Sequence, residues 1–471
     1  MPYGSLREFL EKAEQEGRLL RIAEEVRLEP DVRTISCAAG RMTGGPVLLF
    51  EKVLGYPDKK IVMNVHGSWE NHALTLDLPK NTPVREQFRE IVKRWGRYPV
   101  PAKRVTSAPV KEVVLERDFS LFRELPLFRV NPMDGGFFLS KACAIARDPE
   151  NPSNQNVGIY RIQVKDHDLL GIQLSAQHDL AAYLRSAERL DVPLRAAIAV
   201  SNDPIVPFVA SSPLKFDDDE YAMMGAIRGA PVEVVSSEIG ALDVPAGAEM
   251  IIEGEILRHH RAVEGPFAEY PGSYSSSMLQ VEIRVDRITR RRDPILFENL
   301  YTGEPWGEID YLQGLNTCAT IYNQMKLDFP EIEAVNALYT HGYCTIIASR
   351  MRFGGFAKTL ACRLLSTPHG ITYPKLIIVV DANVDPFNLQ QVIWALTTRF
   401  RPERDLALIP NAPASTLDPA HLIRGLGTKV IIDATTPVYP DIPMEDNISV
   451  DLPADTDFWI GEIQKRMQAK P

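Results

Sequence analysis

The chain has 471 residues, 45% of them hydrophobic and 24% charged, which is typical of a globular protein with two or three domains. Its 62 acidic residues outnumber its 52 basic residues, and the net charge of −10 argues against nucleic acid as the main partner. No apolar run approaches the length of a membrane span, so we expect no membrane insertion.

The N-terminus lacks the basic and apolar pattern of a secretory signal, which predicts a cytoplasmic location. Five scattered cysteines without a C-x-x-C pair predict reduced, mostly buried thiols, with neither a disulfide framework nor a zinc site.

Residues 1–110 carry the pattern of a small N-terminal α/β domain. Ser5-Leu-Arg-Glu8 is a capping box, and it begins an apolar helical face made of Leu6, Phe9, Leu10 and Ala13. Short apolar runs at 47–50 and 61–65 predict strands. Prolines in Tyr98-Pro-Val-Pro101 predict the linker that ends this domain.

Residues 111–300 are predicted to be rich in strands. Alternating apolar residues at 279–285 and a similar run at 250–257 indicate strands buried on one face. Helical patterns interrupt them at 179–188 and 220–228. A β-barrel or sandwich with inserted helices accounts for this order.

Residues 301–440 return to an α/β pattern. An apolar strand at 376–380, a helix at 386–400 with Leu389, Val392, Ile393 and Leu396 on one side, and a strand at 406–409 predict a parallel pair in a mostly parallel sheet. A tail at 441–471 ends in a short helix near 459–467, which could pack on another subunit. The fold class is therefore predicted to be mixed α+β and α/β.

Asn156, His178 and Glu220 are candidate metal ligands. An amide oxygen, an imidazole and a carboxylate together suit Mn²⁺ or Mg²⁺ better than Zn²⁺ or Cu⁺. Their spacing is too wide to define a site, and each has an ordinary structural explanation. The asparagine could stabilise a turn, the histidine could cap a helix, and the glutamate could be a solvated acid.

Arg161, Glu264 and Glu269 are candidate catalytic residues. A fixed cation with two acids is what an enzyme needs to hold a carboxylate, stabilise charge and deliver a proton. From the sequence alone, a surface arginine and two solvated acids that flank a Gly-Pro turn are the favoured explanation, because such acids are usually exposed. No G-x-G-x-x-G, Walker loop, H-E-x-x-H or G-x-S-x-G motif offers another chemistry.

Asn156-Val-Gly-Ile-Tyr-Arg161 and Glu264-Gly-Pro-Phe-Ala-Glu269 together resemble the UbiD-type family of reversible decarboxylases. Within that family, the chain is most similar to the large subunit of non-oxidative hydroxybenzoate and vanillate decarboxylases. The similarity lies in Met63-Asn-Val-His-Gly-Ser-Trp69, Asn316-Thr-Cys318, Tyr339-Thr-His-Gly342, Phe353-Gly-Gly-Phe-Ala-Lys358, Thr367-Pro-His-Gly370 and Asp433-Ala-Thr-Thr-Pro437. The chain departs from that subgroup at the Ser-Ser-Ser-Met-Leu after Tyr274 and at Arg350-Met-Arg-Phe353.

The resemblance implies prenylated FMN as the cofactor, bound to a central split β-barrel domain. It also implies Mn²⁺ or Mg²⁺ held by Asn156, His178 and Glu220 against the cofactor phosphate, with K⁺ as a further ion. The residues implied to line the flavin and its phosphate are Val157, Gly158, Ile159, Tyr160, Arg161, Ile162, Gln177 and His178.

The resemblance also assigns roles to the candidate catalytic residues. Glu269 is the implied proton donor, Arg161 the implied clamp on the substrate carboxylate, and Glu264 the residue that holds Arg161. Burial and a neighbouring acid should raise the pKa of Glu269.

We therefore expect a reversible, non-oxidative decarboxylase of a hydroxybenzoate- or vanillate-type aromatic acid that releases CO2. A flavin prenyltransferase is the expected source of the cofactor, and a homodimer or homohexamer is the expected assembly. The sequence is also compatible with furan or pyrrole carboxylates as substrates. It is compatible as well with a non-catalytic scaffold subunit, with ordinary FMN redox chemistry and with metal-only decarboxylation.

Overall fold

A computed structural model describes residues 3–175, 178–216, 218–240, 242–441 and 453–468. Within these residues the strands form sheets of four, ten, three and five strands, with helices packed between them. The mixed α+β class predicted from the sequence is confirmed. None of the described helices is long and apolar enough to cross a membrane.

The first part of the chain forms α1 (Leu6–Gln15), β1 (Leu19–Val26), α2 (Arg33–Arg41), β2 (Val47–Val53), β3 (Lys59–Met63), α3 (Trp69–Thr75) and α4 (Val84–Trp95). The Ser5 side chain accepts a hydrogen bond from the Glu8 backbone N–H, as the capping box predicts. Helix α1 buries the predicted face. The strands predicted at 47–50 and 61–65 correspond to β2 and β3.

The central part is strand-rich, as predicted. It contains β4 (Lys103–Arg104), β5 (Val113–Leu115), α5 (Leu121–Glu124), β6 (Phe137–Leu139), β7 (Cys143–Arg147), β8 (Gln155–Ile159), β9 (Ile162–Asp166), β10 (Leu169–Ile172), α6 (Asp179–Leu190), β11 (Leu194–Val200), α7 (Ile205–Ala210), α8 (Glu220–Arg228), β12 (Glu233–Ser236), β13 (Asp243–Pro245), β14 (Met250–Ile256), β15 (Ala262–Glu264), β16 (Met278–Arg290) and β17 (Ile295–Glu298). The ten-stranded sheet has the order β6-β9-β10-β16-β14-β11-β7-β8, and β5 and β15 also pair with β16.

The four-stranded sheet is built from two distant parts of the chain. Its order is β1-β2-β3-β17, and β17 pairs in parallel with β3. The strand that completes the first sheet is therefore β17, the last strand of the central part of the chain. Local patterns at 1–110 carry no signal for that pairing.

The last part forms α9 (Glu308–Lys326), β18 (Ile332–Tyr339), β19 (Cys344–Ser349), α10 (Phe356–Leu365), β20 (Leu376–Asp381), α11 (Leu389–Thr398), α12 (Pro402–Asp405), β21 (Leu406–Pro413), β22 (Leu426–Ala434) and α13 (Thr456–Gln468). The predicted parallel pairing of 376–380 with 406–409 is wrong. Strand β22 lies between them, parallel to β20 and antiparallel to β21. The more buried β22 takes the inner position and the more exposed β21 takes the sheet edge.

Helix α11 buries less of its apolar face than the sequence suggests. Val392 is buried, but Leu389 and Ile393 are 45% and 56% exposed. The helix predicted near 459–467 is α13, which exposes Phe458, Trp459, Ile460, Ile463 and Met467.

Helix α9 connects the central and C-terminal parts. It is buried on nearly all sides and packs against β18, α3, α4 and α7 within the largest apolar cluster. Because α9 packs on α7, which in turn packs on β7 and β8 of the ten-stranded sheet, this helix links the C-terminal part to the sheet where the candidate site lies.

Candidate active site

The two glutamates of the second predicted group meet the arginine at one end of the central sheet. Arg161 lies in the short connection between β8 and β9. Glu264 is the last residue of β15, and Glu269 lies in the loop that returns to β16. Strand β15 pairs with β16, which is linked through β10 to β9, and this order of strands brings Arg161 into contact with glutamates 103 and 108 positions away.

Arg161 and Glu264 form a two-bond ion pair. Nε and Nη2 of the arginine donate to the two Glu264 oxygens at 2.9 and 2.7 Å. The side chains are 5% and 0% exposed, so this pair is shielded from solvent. Charge-assisted bidentate contacts of this kind fix both the distance and the plane of the guanidinium.

The other side of the guanidinium faces Glu269. Nη1 donates to Glu269 Oε1 and to Ser275 Oγ, the latter at 3.0 Å, and the Phe267 ring centroid lies 5.7 Å from the guanidinium carbon. Among the described contacts, four of the five arginine N–H groups are therefore in use. The edge that would clamp a substrate carboxylate in the predicted manner is occupied by Glu264.

Burial raises the pKa of Glu269, against the opposing pull of Arg161. The neighbouring carboxyls of Glu264 and Asp134 raise it further. The direction is the one predicted for a proton donor. The charge of Arg161 is shared with Glu264, so it does not fully stabilise the Glu269 anion.

A second loop clasps the segment between the two glutamates. Asp134 Oδ1 accepts from the Ala268 N–H at 2.9 Å, and the Gly135 N–H donates to the Pro266 carbonyl at 2.8 Å. A Cβ on Gly135 would lie 2.2 Å from the Gly265 carbonyl oxygen, so only glycine allows this approach. The clasp holds the turn that sets the spacing of Glu264 and Glu269.

Asn156 and Glu220 of the first predicted group also come together. Asn156 Nδ2 donates to Glu220 Oε1 at 2.8 Å, and the Val157 N–H donates to Oε2 at 3.2 Å. Tyr160 connects them to His178, because its hydroxyl donates to Asn156 Oδ1 at 3.4 Å and its ring lies 5.3 Å from the imidazole. The three candidate ligands thus border one cavity of about 410 Å³.

Burial shifts the pKa of two of these groups in opposite directions. It raises the pKa of Glu220 to about 8 and lowers the pKa of His178 to about 4. The described partners of Glu220 are an amide and a backbone N–H, so no charge from them offsets that of its carboxylate. A buried acid of this kind beside a neutral imidazole and an amide oxygen fits a divalent cation.

A second cavity, of about 140 Å³, adjoins the first. Arg161, Glu269, Phe267 and Tyr270 form part of its wall, and Ser140 and Thr302 another part. The residues that line both cavities are Ile159, Tyr160, His178, Gln313, His341 and Tyr373. The two predicted groups therefore face neighbouring parts of one cleft between the central sheet and the C-terminal part.

The residues predicted to line the flavin are divided between the cleft and the cores. Gly158, Ile159, Tyr160, Arg161 and His178 line the cleft, whereas Val157 and Ile162 pack in apolar cores. Gln177 lies outside the described residues. A Cβ on Gly158 would lie 2.6 Å from the Tyr160 ring, so glycine is required there.

Several residues of the site have no role predicted from the sequence. Asp134 carries no local signal, because it acts through a contact with a distant segment, and Ser275 begins the Ser-Ser-Ser stretch at which the chain departs from the subgroup. Phe267 and His341 do carry one, since they lie in the Glu264–Glu269 and Tyr339–Gly342 motifs. Those motifs contribute to the family resemblance without indicating what these two side chains contact.

Family models account for most of the chain. The N-terminal, Rift-related and C-terminal domains of 3-octaprenyl-4-hydroxybenzoate carboxy-lyase match residues 10–91, 103–305 and 310–434. The chain belongs to the UbiD family. It is therefore a carboxy-lyase, as the resemblance predicted.

Relatives of this UbiD protein match it along its whole length. A phenolic acid decarboxylase from Sedimentibacter hydroxybenzoicus is 50% identical, with 99% of this chain and 98% of the relative covered. The closed form of the vanillic acid decarboxylase of that organism superposes with a TM-score of 0.93 at 49% identity, with 99% of each chain covered. The UbiD-class enzyme HmfF from Pelotomaculum thermopropionicum, in complex with FMN, gives 0.84 at 30% identity, with 96% and 98% covered.

Proposed function

We propose that the protein is a prenylated-FMN-dependent decarboxylase that reversibly removes CO2 from a phenolic acid of the hydroxybenzoate or vanillate type. The observation that carries this proposal is the buried Arg161–Glu264–Glu269 network on the wall of the cleft. The names of the relatives, a phenolic acid decarboxylase and a vanillic acid decarboxylase, support the substrate class.

We propose that Asn156, His178 and Glu220 hold Mn²⁺ or Mg²⁺, with K⁺ as a further ion, and that the divalent ion binds the cofactor phosphate. The support is the donor set, an amide oxygen, a neutral imidazole and a buried acid on one cavity. When bound, the prenylated flavin would supply an electron-accepting group for the ring carbon that bears the carboxylate. A neighbouring UbiD-class structure at 28% identity is in complex with prFMN, which supports the cofactor.

Glu269 is proposed to deliver the proton that replaces the carboxylate. When CO2 leaves, the ring carbon keeps the electron pair of the broken bond and takes one proton from the Glu269 carboxyl group. Product release and reprotonation from solvent restore the acid. Arg161 orients the Glu269 carboxyl group, and Glu264 fixes Arg161.

The proposed domains are an N-terminal α/β domain at 1–110, a flavin-binding split β-barrel at 111–300, a C-terminal α/β oligomerisation domain at 301–440 and a tail at 441–471. The prediction of a mostly parallel sheet in the C-terminal domain is wrong, because β20 pairs in parallel with β19 and β22 whereas the β18–β19 and β21–β22 pairings are antiparallel. The exposed apolar residues of α11 and α13 support a homodimer or homohexamer. A structure of the vanillic acid decarboxylase relative, VdcCD, contains a truncated VdcD component, which supports a test for a second chain. A flavin prenyltransferase and the cytoplasm are the proposed cofactor source and location.

The test is turnover after co-expression with a flavin prenyltransferase. Vanillate and 4-hydroxybenzoate should yield CO2 and the corresponding phenol, whereas protein made without the prenyltransferase should be inactive. Turnover of furan or pyrrole carboxylates alone would overturn the substrate class. A protein without flavin absorbance and without turnover of any acid would be the scaffold, and activity after flavin removal would indicate metal-only chemistry.

A further inference from the structure

A second buried charge cluster lies at the first turn of α9, behind the wall of the cleft. Lys141 Nζ lies 2.6 Å from a Glu298 oxygen and 2.5 Å from a Glu308 oxygen. The three side chains are 1%, 2% and 2% exposed. His66 completes the cluster, because its backbone N–H donates to Glu308 Oε1 at 3.0 Å and its ring Nε2 donates to the Pro204 carbonyl at 3.2 Å.

The cluster has the ligand types of a metal site but already contains a cation. Among the described residues, His66, Glu298 and Glu308 each offer a ligand atom within 4.8 Å of the others. The Lys141 ammonium contacts both carboxylates, so a divalent ion would lie beside a buried positive charge. One ammonium against two carboxylates leaves one unit of negative charge, which a single proton balances.

The two glutamates respond differently to burial. It raises the pKa of Glu298, and the opposing charge of Lys141 does not reverse this. The pKa of Glu308 is lowered to about 2, because Lys141 and His66 outweigh its burial. The proton that balances the cluster is therefore assigned to Glu298, with Lys141 and Glu308 as the charged pair.

The cluster joins segments that line the cavity of about 140 Å³ beside Arg161 and Glu269, hereafter the reaction cavity. Lys141 follows Ser140, Glu298 precedes Leu300 by two residues, and Glu308 precedes Ile309, and all three neighbours line the cavity. Gln313 lies about one turn further along α9 and lines both cavities. The cluster thus connects the central sheet, the β17 segment and α9 directly behind the lining.

We propose that Lys141 is a positioning residue, whose ammonium is the resident cation of this cluster and fixes the first turn of α9 against the Ser140 wall of the reaction cavity. Glu308, the first residue of α9, is also favoured as an anion by the helix dipole. The His66 loop, part of the Met63–Trp69 motif, is held to the same carboxylate. The inference rests on the proposed function only for its turnover readout.

The test separates a positioning role from a role in stability alone. Lys141→Met leaves two buried carboxyls without a cation and should lower the unfolding midpoint. Lys141→Met/Glu308→Gln removes the excess charge, so the midpoint should largely recover. If Lys141 positions α9, amide exchange at 309–313 in this double variant should still be about tenfold faster than in wild type. Its KM, measured with flavin bound, should still be about tenfold higher than that of wild type. Recovery of exchange and KM together with the midpoint would overturn the proposal.

Lys59→Met is the matched control. Lys59, the first residue of β3, is another buried lysine, 2% exposed, whose Nζ lies 2.6 Å from an Asp58 oxygen. Its loss should lower the midpoint while exchange at 309–313 and KM stay at the wild-type level. A change in either would show that loss of any buried lysine has this effect, and would also overturn the proposal.

Metal analysis tests the resident cation. Wild type and Glu298→Gln should contain the same metal per chain, whereas loss of one equivalent in the variant would overturn the assignment to Lys141. Amide exchange requires no cofactor. A wild-type protein without turnover would therefore count against the proposed function and leave the positioning role measurable.

Discussion

Replacing the Glu269 carboxyl by an amide tests the proposed proton donor directly. Glu269→Gln keeps the side-chain volume and the oxygen that accepts from Arg161 Nη1, so the geometry around the guanidinium should persist. The variant loses only the acidic proton. Removal of a positioned general acid reduces rates by about 10²- to 10⁴-fold. Turnover should fall by that factor while the flavin absorbance per chain stays unchanged.

Glu264→Gln tests the proposed donor in a second way, because it should change the pKa of Glu269 while Glu269 itself stays in place. The charge of Glu264 raises the pKa of Glu269, and Glu264 also shares the charge of Arg161. Loss of that charge should lower the pKa of Glu269. Since the protonated form is the active one, activity falls about tenfold per pH unit above this pKa. The falling limb should therefore move to lower pH in the variant.

The assay is initial CO2 release by cofactor-loaded enzyme across the pH range, with flavin content measured in each sample. A Glu269→Gln variant with wild-type turnover would refute the proton-donor role. A falling limb that stays in place, or moves to higher pH, in Glu264→Gln would refute the coupling between the two carboxyls.

Three further predictions concern Arg161, Glu220 and two buried histidines. Arg161→Lys should reduce kcat/KM by roughly 100-fold, because an ammonium cannot make both bonds to Glu264. A mild effect would show that the two-bond contact between Arg161 and Glu264 is not needed for activity. In the metal-free protein the pKa of Glu220 is about 8, so Mn²⁺ binding at pH 7 should release about one proton per chain. Calorimetry in buffers of different ionisation enthalpy measures that proton, and buffer-independent heats would contradict it. The pKa values of His66 and His72 are lowered by burial from 6.5 to about 4 and about 3, so the unfolded chain binds these protons first as the pH falls. Their contribution to stability should therefore decrease from about pH 6.5 towards pH 4, by up to about 1.4 kcal/mol per histidine and pH unit. A His72→Gln variant whose denaturation midpoint depends on pH between 7 and 5 as that of wild type does would refute this.

Local sequence patterns predicted the elements better than their pairing. The α1 capping box and apolar face, and the strands at 47–50 and 250–257, depend on neighbouring residues and are confirmed. The position of β22 between β20 and β21 depends on which of the two strands buries more surface. Apolar runs in the sequence identify the strands but do not show which one is inner and which one lies at the edge. The apolar side of α11 was visible in the sequence, but its exposure was not.

The candidate site was predictable only where a family pattern existed. Residue spacing alone left Arg161, Glu264 and Glu269 as ordinary surface groups, and the resemblance assigned them to one network. Their contacts span 103 and 108 positions. The clasp from Gly135 and the Lys141 cluster are also long-range, and no local signal marks them. The substrate clamp implied for Arg161 stays a prediction, and Glu264 already accepts from two of the arginine nitrogens, Nε and Nη2.

The arrangement around Arg161 explains why a proton should reside on Glu269. Three carboxyl groups, those of Glu264, Glu269 and Asp134, surround one cation, and the Arg161–Glu264 pair uses that charge. If Asp134 and Glu269 were both ionised, two more buried negative charges would have to be desolvated, and burial raises the pKa of both carboxyl groups.

The hydrogen bonds decide between the two acids. Asp134 accepts backbone N–H groups at both oxygens, 2.7 and 2.9 Å away, so protonation would break a bond. Glu269 uses Oε1 in its described contact with Arg161, which leaves Oε2 able to carry the proton without loss. The acid that lines the cavity is thus the one that can be protonated at the lowest cost, which is the requirement for a proton donor to carbon.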